Sequence, residues 1–331
     1  MDIYDFTLIG GGPTGLFGAF YAGLRQMRTK IIDSLPLLGG QLATLYPEKY
    51  IYDVGGFPKV LAKDLVAQFA QQALQYSPTV CLDEKVIRLE RVGGDTAAEG
   101  HLVLTTQKGV HYTKTVLIAA GVGAFLPRKM DIPDLDRLEG LGVHYFVTDP
   151  AALAGKRLVI VGGGDSAFDW SMALGPEAAS CLQIHRSERF KAHEDSIKKV
   201  QESATVDLRT FYELKAVHGE DRVEAVTIFD NRTGQEQRVE CDALLLNLGF
   251  LTNLGPIKEW GLAIEKNAIR VDSTMRTTIP GVYAAGDICT YVGKLKLIAT
   301  GIGEAGTAAN FAKTYLDPGS KAYPGHSSDM K

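Results

Sequence analysis

Short apolar runs, each closed by a glycine-rich or polar turn, recur along the chain. The first is IYDFTLI at 3–9. It enters the turn GGGPTG, and a mixed apolar stretch then predicts a helix from about Pro13 to Met27, followed by TKIID ending at Asp33. The same order returns later. RLVIV at 157–161 enters GGGDSA, a helix is predicted to about Leu174, and CLQIH ends at His185, with Arg186 next. An apolar run bounded by turn signals fits a buried strand, and a strand feeding a glycine turn and a helix opens a parallel βαβ unit.

The two units also close alike. Residues 101–106 and 110–113 predict a hairpin around Lys108 and Gly109, then the buried strand TVLIAAG at 115–121. Residues 223–229 and 235–241 predict a hairpin around Asn231 and Gly234, then ALLLNLG at 243–249. Beyond that, IRVDSTMRTTIPGVYAAGDI at 269–288 holds another short strand and an acidic turn at Gly286-Asp287, with a helix predicted from about Thr300 to Leu316. This remainder of about 80 residues is too short for a third domain of the same kind, so it is expected to complete the first. The expected fold class is α/β: two Rossmann-like three-layer nucleotide-binding domains, one inserted into the other. The outer domain would comprise 1–120 and 250–331, and the inserted one 121–249, joined by crossings near 119–126 and 247–252.

Gly10, Gly12 and Gly15 give G-x-G-x-x-G, and Gly162, Gly164 and Ala167 give G-x-G-x-x-A. Each lies between a strand and a helix and is followed by another strand about 20 residues on, which is the context of a dinucleotide site. Glycines let the backbone approach a pyrophosphate, and helix N-terminal N–H groups hold its charge. The residue after the second strand reads the ribose. Asp33 is an acid able to accept from ribose hydroxyls, which suits FAD. The matching region of the second unit is HRSERFKAH at 185–193, where Arg186, Arg189 and Lys191 cluster with His185 and His193. Cations there suit a 2′-phosphate, so the second loop suits NADPH better than NADH. Two cofactors on one chain imply hydride passing between them.

Composition narrows the classes. With 45% hydrophobic and 22% charged residues the chain has ordinary globular composition, and a net charge of −4 argues against generic nucleic-acid binding. No apolar run reaches the ~18 residues of a transmembrane helix, and the acidic start MDIYDF is unlike a secretory signal. Cys81, Cys181, Cys241 and Cys289 lie far apart, with no CxxC. That excludes a zinc ribbon or local dithiol and suits a reducing compartment, so a cytoplasmic location is expected.

Over nearly its whole length the chain resembles the two-dinucleotide-binding flavoproteins of the thioredoxin reductase type. GGGPTG at 10–15, GGQL at 39–42, GGGDSA at 162–167, the basic segment at 185–192 and AAGD at 284–287 fall in the family order. One departure matters: GVHYFVTDP at 142–150 stands where those reductases carry Cys-Ala-Thr-Cys, so no dithiol relay is possible there. The chain resembles instead the ferredoxin–NADP reductases built on that scaffold, through LYPEKYIYDVGGFP at 45–58, GVHYFVTDP, GGGDSAFDW at 162–170, AAGDICTY at 284–291 and PGHSS at 324–328.

That resemblance implies a homodimer in which Tyr46 and His326 sandwich the flavin, the tail of one subunit covering the flavin of the other. It implies further FAD contacts at Thr14, Asp33, Gln41, Val86, Phe125, Asp287 and Ser328. It places NADPH on Gly162, Gly164, Asp165, Ser166, Ala167, Arg186 and Lys191. The usual clamp is His-Arg-Arg with a further Arg; Ser187 and Lys191 replace two of its arginines. The implied activity is hydride transfer from NADPH to FAD and release of single electrons to ferredoxin or flavodoxin, with no nucleic acid or membrane as partner. An NAD(P)H oxidase or quinone reductase on the same scaffold is the alternative enzyme, and a flavin redox sensor the alternative of another class. The intact second glycine loop favours an enzyme. Cys289, lacking a partner cysteine, reads as a small buried residue rather than a nucleophile.

Overall fold

The computed structural model describes residues 2–121, 123–147 and 149–323. The chain divides into two compact units, Met1–Phe125 with Thr252–Lys331, and Leu126–Leu251. The crossings run as Ala124–Pro127 and Phe250–Asn253, paired in a two-stranded ribbon.

The first unit is built around the strand Ile3–Ile9. It pairs in parallel with Thr29–Ile32 on one side and Val110–Ile118 on the other, and Thr79–Cys81 extends the first side. The edge of Val110–Ile118 away from Ile3–Ile9 is shared between two partners. Its first half pairs antiparallel with Gly100–Thr106, which pairs in turn with Val86–Gly93. Its last residues pair in parallel with Val282–Ala284, so the returning segment adds a strand to the sheet that the N-terminal segment begins. Phe6, Leu8, Ile31, Ile32, Val116, Leu117 and Ile118 are all buried. Such near-continuous apolar strands belong to a parallel sheet covered on both faces.

Helices Pro13–Leu24, Ala62–Leu74 and Ile298–Leu316 belong to this unit, and the first packs against both others. The first buries Gly15, Gly18, Ala19 and Ala22; the last buries Gly301, Ala305, Ala308, Ala309 and Ala312. Small residues on both faces let the two helix axes come close. The first helix stops at Leu24, short of the expected Met27, because Gln26 takes a left-handed φ of 57°.

The second unit holds a five-stranded parallel sheet in the order Val143–His144, Ala243–Leu246, Arg157–Val161, Ser180–His185, Val206–Thr210. Asp165–Leu174 and Glu194–Gln201 are its α-helices. An antiparallel sheet of Tyr212–His218, Ala225–Asp230 and Glu236–Glu240 packs its Leu214, Val226 and Ile228 into one core with Val159, Val161, Ile184, Leu244 and Leu246. Arg157 forks onto Asp242 at 3.1 and 2.8 Å, joining two neighbouring strands at one end and holding that carboxyl down at about 2. Both side chains are well exposed, so the pair fixes geometry more than it adds stability.

Both expected hairpins form. The closing strands end at Ile118 and Leu246, with the remaining apolar residues continuing as loop. Among the further elements, the strand Val86–Gly93 carries a register shift between Val86 and Arg88 that spoils its alternation.

Candidate cofactor-binding site

The first glycine turn is fixed by backbone packed against backbone. Gly10 has φ 110°, and a Cβ there would lie 2.4 Å from the carbonyl oxygen of Ala119. A Cβ on Gly15 would lie 1.9 Å from the carbonyl oxygen of Gly10. Only glycine permits that conformation and approach. Gly12, by contrast, has no atom closer to its missing Cβ than 3.9 Å, the Cα of Gly40. The turn is tight behind and open in front, which is the cradle a pyrophosphate needs.

Thr14 joins this turn to the returning segment. Its Oγ1 lies 2.9 Å from a Cβ position on Gly286 and 2.4 Å from one on Gly301. The N-termini of Pro13–Leu24 and Ile298–Leu316 therefore converge at Thr14, beside the turn that carries Asp287. Neither helix has an acid in its own first turn, so their positive ends can favour an anion.

Asp33 is buried, and burial pushes its carboxyl above the usual range, although Leu35 and Gly11 donate backbone N–H groups to it. Those bonds leave carboxylate lone pairs free for ribose hydroxyls. Val86 is buried on the strand that follows Glu84, whose N–H donates to the Asp33 carbonyl. Gln41 opens a short helix, and its Nε2 lies 3.0 Å from a Cβ position on Gly121.

Tyr46 is half-buried, and burial pushes its phenol up to about 12, with the carboxylates of Asp287 and Asp53 adding to the shift. It stays protonated at any physiological pH. Burial also raises the Asp287 carboxyl, while Lys296 and Lys294 pull it back. Tyr46 and Asp287, far apart in sequence, thus share one electrostatic neighbourhood with Thr14 close to the same turn. The side chain of Phe125, and all of His326 and Ser328, lie outside the described residues.

In the second unit Gly162 packs on Asn247, and a Cβ on Gly163 would meet the His185 ring at 2.5 Å, while Gly164 faces open space. Ala167 is fully buried where the first unit has Gly15, because this turn leaves room for a methyl group. Asp165 and Ser166 are exposed at the start of the helix, and Asp165 accepts from the N–H of His193 at 3.0 Å. The Lys191 N–H donates to the Gly163 carbonyl at 2.7 Å, which seats the basic loop beside the glycine turn.

Arg186, Arg189 and Lys191 are exposed, and none pairs with a carboxylate among the described residues. Asn231 donates to the Arg186 carbonyl at 2.9 Å. The buried Nδ2 of Asn247, a residue packed against Gly162, has no partner among the described residues, a feature that the sequence pattern did not suggest. An open glycine face, three uncommitted cations and an orphaned amide fit a phosphorylated dinucleotide. The first unit, with its buried acid and two acid-free helix starts, fits FAD. No helix among the described residues is long and apolar enough to cross a membrane, and no group of three or more candidate metal ligands occurs among them.

Residues 4–309 match the model of the pyridine nucleotide-disulphide oxidoreductase family. The chain is 51% identical over 329 residues to a ferredoxin–NADP reductase of Geobacillus thermodenitrificans, covering 99% of this chain and 98% of that protein. It is 52% identical over 330 residues to ferredoxin–NADP reductase 2 of Shouchella clausii, with the same coverage. Among solved structures it resembles the thioredoxin reductase of Lactococcus lactis in its FR conformation, with TM-score 0.82, 23% identity, and coverage of 95% of this chain and 99% of that one. This last likeness supports the fold.

All four cysteines are free thiols. Burial pushes Cys181 to about 11 and Cys241 and Cys289 to about 12, and it raises the partly exposed Cys81 as well. A thiol reagent at pH 8 should therefore label at most Cys81 rapidly in the native protein, and all four after unfolding. Rapid native labelling of Cys289 would contradict its role as a packing residue and reopen thiol chemistry beside Asp287.

Proposed function

The chain belongs to the pyridine nucleotide-disulphide oxidoreductases and, within them, to the ferredoxin–NADP reductases, and we propose that it holds FAD in its first unit and NADPH in its second. It is an FAD-dependent oxidoreductase that carries electrons from NADPH to ferredoxin. The observation behind the placement is the contrast between two similar turns: one backed by a buried carboxylate, the other flanked by uncommitted cations.

Bound FAD would supply the conversion between a two-electron hydride donor and a one-electron carrier. The protein's part is to bind and orient. In this reading Gly10, Gly12 and Gly15 admit the FAD pyrophosphate to the N-terminus of Pro13–Leu24, and Asp33 accepts from the adenosine ribose. Thr14, Gln41, Val86, Phe125 and Asp287 complete the site in the first unit. Tyr46 stacks on the ring, and its phenol, held near 12, takes no part in proton transfer.

In the second unit Gly162, Gly164, Asp165, Ser166 and Ala167 form the phosphate turn, while Arg186 and Lys191 grip the 2′-phosphate. No nucleophile or general base is required. We extend the reading to flavodoxin as a second acceptor, and to a homodimer in which His326 and Ser328 of the tail reach the partner's flavin. A cytoplasmic location follows from the unpaired thiols and the soluble carrier.

Anaerobic reduction of the bound flavin by NADPH, followed by ferredoxin, flavodoxin, a quinone or air, tests the activity. Ferredoxin should reoxidise the flavin fastest. Fastest reoxidation by quinone or oxygen would assign a quinone reductase or oxidase instead, and failure of NADPH to reduce it would favour a sensor.

Arg186→Ala should raise KM for NADPH about tenfold to a hundredfold, the worth of one charge-assisted contact, and leave NADH nearly unchanged. Equal losses with both nucleotides would remove Arg186 from 2′-phosphate recognition.

Deleting 323–331 should leave FAD content intact, change the flavin absorption spectrum and speed its reaction with oxygen. An unchanged spectrum, or a strictly monomeric protein by sedimentation at micromolar concentration, would reject the tail's role.

A further inference from the structure

Glu304 lies in the second turn of Ile298–Leu316 and is 5% exposed. Its Oε2 accepts from the N–H of Gly286 at 2.7 Å and contacts the Sγ of Cys289 at 3.6 Å. Its Oε1 accepts from the Tyr291 hydroxyl at 2.6 Å, and the Nζ of Lys294 donates to both oxygens at 2.6 and 2.7 Å. The Lys294 side chain is as buried as Glu304, yet its loop neighbours Val292 and Leu295 are 103% and 61% exposed. The loop turns two apolar side chains to solvent and its lysine inward.

Such an arrangement is not explained by stability. A buried ion pair loses hydration on both sides, and replacing both partners by apolar residues is often neutral or favourable. What this pair does have is a backbone target. Gly286 has φ 78° and is buried, and the Glu304 carboxylate accepts from its N–H. The missing Cβ of Gly286 would contact Thr14, and the next residue is Asp287. One hydrogen bond therefore fixes the turn that carries Asp287 and that Thr14 abuts. Lys294 keeps the carboxylate in place and balances its charge, so that Asp287 does not face an uncompensated second carboxylate.

We propose that Glu304 is a positioning residue for the flavin cofactor: held by Lys294 and Tyr291, it clamps the Gly286 N–H and sets the Gly286–Asp287 turn against Thr14. This rests on the reading that FAD occupies that turn.

The test is the rate of FAD release from purified holoprotein on dilution, followed by flavin fluorescence, beside thermal unfolding of the same samples. Glu304→Leu with Lys294→Met removes both charges and the acceptor. With the Gly286 N–H and the Tyr291 hydroxyl left without their acceptor it should unfold at a lower temperature than the parent, and it should release FAD about tenfold faster at a temperature where both remain folded, the scale of one lost charge-assisted hydrogen bond. Should leucine not fit, Glu304→Ala with Lys294→Met removes the same acceptor without bulk and is read in the same way. Glu304→Gln with Lys294→Met retains a carbonyl for the Gly286 N–H and should stay within about twofold of the parent, the acceptor being restored without charge.

Unchanged release without the acceptor, or equally fast release with glutamine, overturns the proposal. Asp287→Asn separates the two layers. If it speeds FAD release while the Glu304 variants do not, only the positioning role fails. If it has no effect, the placement of FAD at this turn fails first.

Discussion

A helix can offer its N-terminal N–H groups to a phosphate only if it starts almost in contact with the strand that feeds it. In the first unit that contact is Gly15 against the Gly10 carbonyl, with Gly10 itself against Ala119. The end of Ile3–Ile9, the start of Pro13–Leu24 and the end of Val110–Ile118 are thereby locked at one point. Thr14 is then carried into reach of Gly286 and Gly301, and the helix of the returning segment adds a second positive end beside the first. Much of the first unit's candidate site depends on two backbone approaches that leave no room for a side chain, Gly10 on Ala119 and Gly15 on Gly10.

The second unit has a similar glycine turn with different electrostatics. Its third turn position tolerates Ala167, and an acid, Asp165, opens its helix. Asp165 is engaged by the His193 N–H, which ties the basic segment to the turn, and the Lys191 N–H ties it a second time. The cations stay exposed and uncommitted, as suits a ligand that brings its own charge. Asp33 is the reverse case: a carboxylate kept in a buried site, at an electrostatic cost, where it can accept ribose hydroxyls.

Charge behind the first site follows the same economy. Lys294 and Glu304 stabilise little as a pair, but together they bring a charged acceptor to a buried N–H in a left-handed turn. A backbone amide in such a place needs a partner, and here the partner is a side chain from another element.

Local pattern was enough to reveal the two glycine turns, their flanking strands, the hairpins and the need for the last segment to return. Each of these rests on near neighbours: apolar runs, turn residues, and the spacing of glycines before a helix. Asp33 and Arg186 stood out as candidates by their place at the end of the strand after each turn, where such folds read a ribose; the structure buries the first and exposes the second. Ala62–Leu74 has a helical spacing at Leu65, Phe69 and Ala73, yet the spacing does not show that its partner is the helix Pro13–Leu24, well before it in the chain. Val86–Gly93 was masked by its register shift, since a bulge erases the alternation that marks a strand. Asn247, Glu304 and Lys294 carried no signal at all. An asparagine after an apolar strand, a glutamate in a helix and a lysine in a loop have common surface readings. Only the tertiary structure places the first beside Gly162 and turns the other two inward onto Gly286, because burial and hydrogen-bond partnership are set by residues distant in sequence.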